Sequence, residues 1–517
     1  MKLLLSKIFV VFITINSFSQ GNRYVITNYG ALTDGKTVAT KAVQMAVDEC
    51  NKNGGGEVII PTGVFIIGTV HLKSNVNLYL QSGAVLRGST NLNDYESYTP
   101  EKPFVPIHKG MLFTENAENI TISGQGQIDG NGDSFFELNR AKKLDVEATK
   151  FTRQKENFRH VQQGIGDGPV VPKERPYQMF VFSNCKKVTV KDIFVTSAPF
   201  WCMHFADCDA VRVSGIRLWN NLLAPNADGI DVTSCTNVII EGSDIRAGDD
   251  AIAVVGYDHH FEIPGFQHLK HVSENIIISN CNLQSYSSGI RIGFLDQNTV
   301  RNIRVSNVNI TNSTRGIGIF LRDEGSLENI TFSNIYIDTH LRTGDWWGNG
   351  EPIHISAVRG KENVKLGQIR HVLFSNIICK GENGMLVYGS DESLIEDVAF
   401  NHVRFELTGS KLNEVAGGNV DLRGASVEKP LFARDIPAML VQYVKGLRID
   451  DFQLTWTGAT MPFFTNGIEL NHFENVHISN YKGTGSPANP KAYSIFAEKG
   501  KGLVADVQKG VLLKDVQ

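Results

Sequence analysis

Apolar and polar residues alternate along most of the chain in short runs, and the runs recur. Asn275-Ile-Ile-Ile-Ser-Asn280, Asn302-Ile-Arg-Val-Ser-Asn307 and Asn329-Ile-Thr-Phe-Ser-Asn334 each begin 27 residues after the last. Related pieces stand at Lys187-Val-Thr-Val, Ala210-Val-Arg-Val, Asn237-Val-Ile-Ile, His371-Val-Leu-Phe, Asp397-Val-Ala-Phe, Gly446-Leu-Arg-Ile and Asn475-Val-His-Ile. Period-2 alternation marks strands with one buried face. A unit this small cannot bury that face alone and must stack on its neighbours. The expectation is an all-β chain, a right-handed parallel β-helix that forms one domain over residues 21–517. The repeated Ser-Asn pairs (279–280, 306–307, 333–334, 375–376, 479–480) fall at corners, where Asn tolerates a left-handed backbone.

Residues 21–90 form a leading module. A helical pattern places Val43, Ala46, Val47 and Cys50 on one face, and Gly54-Gly-Gly56 stops it. Such a helix caps one end of the solenoid, where open strand edges invite aggregation. Strand-like runs follow at Glu57-Val-Ile-Ile60, Val64 to Gly68 and Val76 to Leu80. Insertions interrupt the repeats at about 137–175, 255–272, 339–366 and 405–440. Loops emerging from one face of a solenoid often build its binding groove.

Composition narrows the classes. The chain is 42% apolar and 20% charged with a net charge of −4, which gives no sign of a nucleic acid or anionic membrane partner. Residues 1–20 read as a secretory signal: Lys2 and Lys7, the apolar run Ile8 to Ile15, then a small polar cleavage region. The apolar run is shorter than the ~20 residues a membrane anchor needs. A secreted or periplasmic monomer is expected. Seven cysteines without a Cys-x-x-Cys pair read as buried thiols, with one disulfide possible in an exported chain.

Aligning one strand of successive units sets Asp228, Asp250, Ser288 and Arg315 in an outward-facing column, with Asp249 beside it. Asp231, Ala253, Arg291 and Gly318 form a second column. Stacked strands lie about 4.8 Å apart. Carboxylates that close cannot all ionise, so one pKa rises, as a general acid beside a general base requires. The same acids would also suit a solvated turn or a calcium site.

At these residues the chain resembles glycoside hydrolase family 28, the polygalacturonases and their relatives. The resemblance rests on Asn226-x-Asp228, Gly248-Asp249-Asp250 and Ser197-Ala-Pro199-x-Trp201-x-x-His204. It also rests on Asn28-Tyr-Gly-Ala-Leu-Thr-Asp34-Gly, Gly54-Gly-Gly-Glu-Val-Ile-Ile-Pro61-x-Gly63 and Gly126-Gln-Ile-Asp-Gly130. It implies inverting hydrolysis of an α-glycoside in a pectic or algal acidic polysaccharide, without a cofactor or metal. Asp249 would protonate the leaving oxygen while Asp228 and Asp250 hold and deprotonate water. Two departures stand out. The family's Gly-His-Gly is Ser287-Ser288-Gly289 here, and its carboxylate-gripping Arg-Ile-Lys is Gly318-Ile319-Phe320.

Asn226, His204, Ser288, Arg291, Arg315, Trp346, Trp347 and Glu351 are the candidate substrate contacts. Arg291 and Arg315 offer an alternative grip on a carboxylate or sulfate, or pair with Asp231 or another acid. Trp346 and Trp347 suit stacking on a sugar or anchoring of their loop, and His204 a sugar-binding or a core role. Glu351 aligns with the Asp228 column. His259, His260 and His354 lack a metal-ligand pattern and read as surface or loop residues. Two rivals remain. A polysaccharide lyase on the same architecture would release an absorbing unsaturated product. A non-catalytic carbohydrate-binding solenoid would release nothing.

Overall fold

The computed structural model describes residues 22–98, 108–160, 168–256, 272–295, 298–427, 429–507 and 510–517. Residues 1–20, read above as a signal, most of the 255–272 insertion, and His259 and His260 lie outside them. The described chain winds into the parallel β-helix that the repeats predict, with 35 strands in one hydrogen-bonded set. Early coils contribute three strands each, and from Val300–Ser313 onward two of the three merge into one long strand. Phe180–Ser183, Lys186–Lys191 and Phe194–Thr196 are followed on the next coil by Met203–Ala206, Asp209–Ser214 and Arg217–Trp219. Each pairs in parallel with its equivalent, as in Phe180↔Met203, Lys186↔Asp209 and Phe194↔Arg217.

Alternation decides what enters the core. Ile276 and Ile278 are fully buried while Ile277 between them is exposed. Stacking repeats this at every rung, so like residues form interior ladders. Phe332, Phe374 and Phe400 stack at 4.9 Å with planes 5° apart. The seven cysteines are free and buried in this core.

The corner asparagines have the expected backbone. Asn280, Asn307, Asn334, Asn376 and Asn480 all have φ between 53° and 56°. Their side chains also link rung to rung, with Asn307 donating to Asn280 at 3.2 Å and Asn334 to Asn307 at 3.1 Å. A second left-handed corner opens the same strands, at Lys187, Ala210, Asn237, Asn275, Asn302 and Asn329.

The helix Thr40–Lys52 buries Ala42, Val43, Ala46, Val47 and Cys50 against the first coils. Two insertion boundaries differ from expectation. The strand Ile395–Thr408 runs past residue 405, because Phe405 and Leu407 continue the buried alternation. The segment 339–366 is interrupted by a rung strand, Ile353–Ala357. Two insertions also hold antiparallel pairs of their own, Phe136–Ala141 with Val170–Pro172 and Asn419–Asp421 with Leu431–Ala433.

Candidate active site

Strand register carries the acids together. Ile230 pairs with Ile252, Ile252 with Ile290, Ile290 with Ile317 and Ile317 with Ile353. Two residues earlier on each strand stand Asp228, Asp250, Ser288, Arg315 and Glu351, one column as expected. The next column runs Asp231, Ala253, Arg291, Gly318, His354. These side chains leave the solenoid interior, but most are buried beneath the inserted loops.

A pocket of about 190 Å³ opens over the first column. Its floor includes Asp228, Asp249, Asp250, Ser287, Ser288, Arg291 and Arg315, and its walls Trp201, Asn226, Phe294, Phe320, Trp347 and Arg423. Carboxylate oxygens of Asp228, Asp249 and Asp250 lie within 4.8 Å of one another. Such a trio could hold a cation, but Arg291 Nε already donates to Asp250 Oδ2 and supplies positive charge there. Ser288 N donates to the other oxygen of Asp250 at 3.0 Å.

Burial and mutual repulsion set the proton affinities. Desolvation, then the neighbouring Asp250, push the Asp249 carboxyl up to about 7. Desolvation, then Asp249, raise Asp228 well above the usual carboxylate range. Among the described residues the buried Asp228 Oδ1 finds no hydrogen-bond partner, which favours a shared proton over a second charge. Asn226 takes a left-handed turn, φ 57°, and its N–H donates to Asp249 Oδ2 at 3.3 Å. Its side-chain oxygen accepts from Arg175 Nη2 at 3.0 Å, and Arg175 Nη1 donates to the carbonyls of Pro199 and Pro225. Asn226 thereby positions Asp249.

Three candidate contacts are otherwise engaged. His204 is fully buried, between Gln178 at 3.2 Å and Thr233 at 2.9 Å, with its ring edge-on to Trp201. Burial pushes it down to about 3, so it supports Trp201 as a neutral ring. Trp346 is 3% exposed against 38% for Trp347, and packs edge-on to Tyr286. Only Trp347 borders the pocket. Glu351 is buried and accepts from Arg315 Nε at 2.7 Å, from the Asn349 N–H and from His354 at 3.1 Å. It holds Arg315 rather than substrate. His354, expected at the surface, is buried on a rung strand between Glu351 and Ser356.

Arg315 keeps capacity for a ligand. Its Nε is taken by Glu351 and its Nη1 lies 3.4 Å from Ser288 Oγ, while no partner for Nη2 is found among the described residues. Phe320, at the place of the missing lysine, packs between the guanidiniums of Arg315 at 4.9 Å and Arg322 at 5.1 Å. Arg423 was not legible as a site residue. It is carried on an insertion without repeat register, and only its Asp421-Leu-Arg charge pattern hinted at a role. It bonds Asp421 and Asp345 and, with Arg159 from the 137–175 insertion, grips the Trp346 carbonyl. Three insertions are thus pinned together around the mouth.

The profile of Glycosyl hydrolases family 28 matches residues 50–342, more than half of the chain, and the chain belongs to that family. Among curated relatives, a probable polygalacturonase of Vitis vinifera is 27% identical over 46% of this chain and 45% of its own length. An exo-poly-alpha-D-galacturonosidase of Dickeya chrysanthemi is 28% identical over 44% and 41%. The chain spans about half the length of the curated relatives it matches. An exopolygalacturonase structure from Thermotoga maritima superposes with a TM-score of 0.59 at 20% identity, over 84% of this chain and 92% of that one. That likeness concerns the fold.

Proposed function

We propose that this protein is a glycoside hydrolase that cleaves an α-glycosidic bond in a pectic or related acidic polysaccharide, or in its oligosaccharides. The observation that carries this is the convergence of Asp228, Asp249 and Asp250 in one pocket beside Arg315. Asp249, protonated near neutral pH, donates its proton to the leaving glycosidic oxygen as that bond breaks. Asp250, fixed by Arg291, takes the proton of the attacking water, and Asp228 orients that water. Arg315 binds a substrate carboxylate in place of the missing Arg-Ile-Lys, and Trp347 walls the subsite.

The acid oxygens lie closer together than the ~6.5–9.5 Å usual between the carboxyls of inverting enzymes. Inversion, which family membership favours, therefore needs the water beside the trio, against Asp228 and Asp250. The confined pocket walled by insertions supports release from a chain end, in line with the exo-acting names of several relatives. Export is part of the proposal, supported by residues 1–20. Among the described residues no helix is long and apolar enough to cross a membrane.

Reducing-sugar release from polygalacturonate, its oligosaccharides and algal acidic glycans, compared between wild type and Asp249→Asn, tests the reading. Proton NMR of the first product reads its anomeric configuration. Release lost in the variant, with inverted product, is the expected result. No release from any glycan favours the non-catalytic solenoid, which the replacement of a clamp cation by Phe320 also suits.

A further inference from the structure

We propose a second glycan-binding site on the C-terminal coils, separate from the catalytic pocket and built on Tyr443 and His472. One corner of the solenoid lies two residues before a continuous ladder that pairs Glu118, Lys186, Asp209 and Thr236 at one end and Lys445, Glu474 and Lys501 at the other. At that corner the early coils place Asn116, Asn184, Asp207 and Ser234, all with left-handed φ between 49° and 54°. These are the small polar types such a backbone accepts readily. The corner leaves this conformation on the middle coils, at Thr299, Ser326, Gln368 and Leu394. The late coils return to it, with φ 49° at both Tyr443 and His472 and 54° at Lys499, but carry rings and a long cation. A ring in this conformation costs stability, and the corner itself needs no ring, because the early coils turn without one.

The two rings stack on each other, 4.6 Å apart and 12° from parallel, and both are half-buried. A hollow opens on each side, and Tyr443 borders both. One, of about 460 Å³, is lined by Tyr388, Phe432, Gln442, Asp391 and Lys429. The other, of about 370 Å³, is lined by His472, Glu474, Lys499 and Lys501. Aromatic faces flanked by amide, carboxylate and ammonium groups match a sugar chain, whose C–H faces stack and whose hydroxyls need donors and acceptors. Lys501 is paired with Glu474 at 3.3 Å, which leaves Lys429 in one hollow and Lys499 in the other to meet the carboxylates of an acidic chain, while Asp391, Glu474 and Asp515 accept from its hydroxyls. Leu422 borders the first hollow while the adjacent Arg423 borders the catalytic pocket, so one loop is the wall between them.

The ligand is thus a distant segment of the acidic polysaccharide named above, and its identity rests on that reading. Holding the polymer at a second point raises the effective concentration of its ends at the pocket. Di- and trisaccharides are expected to fill the catalytic pocket alone, so they serve as the comparison for the polymer.

Affinity electrophoresis through gels containing polygalacturonate tests this without requiring turnover. Tyr443→Asn with His472→Asn installs the residue type found at this corner on early coils, so the turn survives while the platform is lost. We expect the apparent dissociation constant for polygalacturonate to rise at least fivefold, with hydrolysis of di- and trisaccharides unchanged. Lys499→Ser, at an exposed position, should raise it about twofold. Equal retardation of wild type and the double variant overturns the site, as does a wild type that is not retarded. Retardation lost in the double variant of a protein that hydrolyses no glycan leaves the site standing and sinks the catalytic reading alone.

Discussion

Arg315 and Glu351 stand on adjacent rungs of one column, and their 2.7 Å ion pair is buried at the foot of the catalytic pocket. The pair holds the guanidinium against the pocket wall. Burial alone would raise the Glu351 pKa, but Arg315 and then His354 outweigh it and hold the carboxyl down at about 2. A depressed carboxyl stabilises the fold above its unfolded pKa and loses that contribution as pH falls toward 2. Glu351→Gln keeps the shape and leaves Arg315 without its counter-charge, at a cost of about 3–5 kcal/mol. Guanidinium unfolding at pH 7 should show that loss. The gap between variant and wild type should narrow as the pH approaches 2, and an unchanged gap would mean that the pair does not hold its charge.

Asp249 has the opposite sign. Its folded pKa, near 7, lies above the unfolded value, so the native state binds the extra proton and stability falls as pH rises through that window. Asp249→Asn should therefore be more stable than wild type at pH 8 and indistinguishable at pH 3. Its hydrolytic rate should drop by about 10²–10⁴. In wild type, activity should decline as pH rises through 7 and the acid loses its proton. A rate that keeps rising to pH 9 would assign the acid role elsewhere.

Register explains what could be read from the residues alone. Ile230, Ile252, Ile290 and Ile317 share a phase, and that phase is visible in the sequence, so the column of Asp228, Asp250, Ser288 and Arg315 could be aligned without coordinates. The depth of each side chain could not. His204 and Glu351 occupy the right columns but are covered, one by Trp201 and the other by Arg315. Arg423 sits on a loop whose path depends on contacts with residues 159 and 345, far away in sequence, and no period reveals such contacts. The corner asparagines were legible because their backbone requirement is local. Asn307→Ala should cost about 1–2 kcal/mol for the left-handed turn. Asn307→Gly should lose only the ladder hydrogen bonds, about 1 kcal/mol, and chemical denaturation of the two variants would separate the terms.

Adjacent tryptophans should separate binding from stability. Trp347 is exposed at the pocket rim with Arg423 5.1 Å from its ring, whereas Trp346 is packed against Tyr286. Trp347→Ala should raise KM about tenfold with little change in melting temperature. Trp346→Ala should cost about 3–5 kcal/mol of stability through the cavity it leaves. Steady-state kinetics beside thermal unfolding would reveal the split, and equal effects on KM would mean that both rings reach the sugar.

Phe320 tests whether the lost clamp can be restored by one substitution. The resemblance read from the sequence puts a lysine at this strand position, so Phe320→Lys is the substitution expected to rebuild a grip on a galacturonate carboxylate. The surroundings argue otherwise. Phe320 is buried with the Arg315 and Arg322 guanidiniums on either side, and its ring lies edge-on to His354 at 5.0 Å. An ammonium there would face two cations and lose its hydration, and the nearby Glu351 carboxylate is already held by Arg315. We expect Phe320→Lys to lose several kcal/mol of stability and to leave KM for galacturonides no better than in wild type. Phe320→Leu, which keeps the site apolar, should retain the fold and isolate the contribution of the ring to holding Arg315. A stable lysine variant with a lower KM would show that this pocket still has room for the family's clamp, and would remove the reason for giving its task to Arg315.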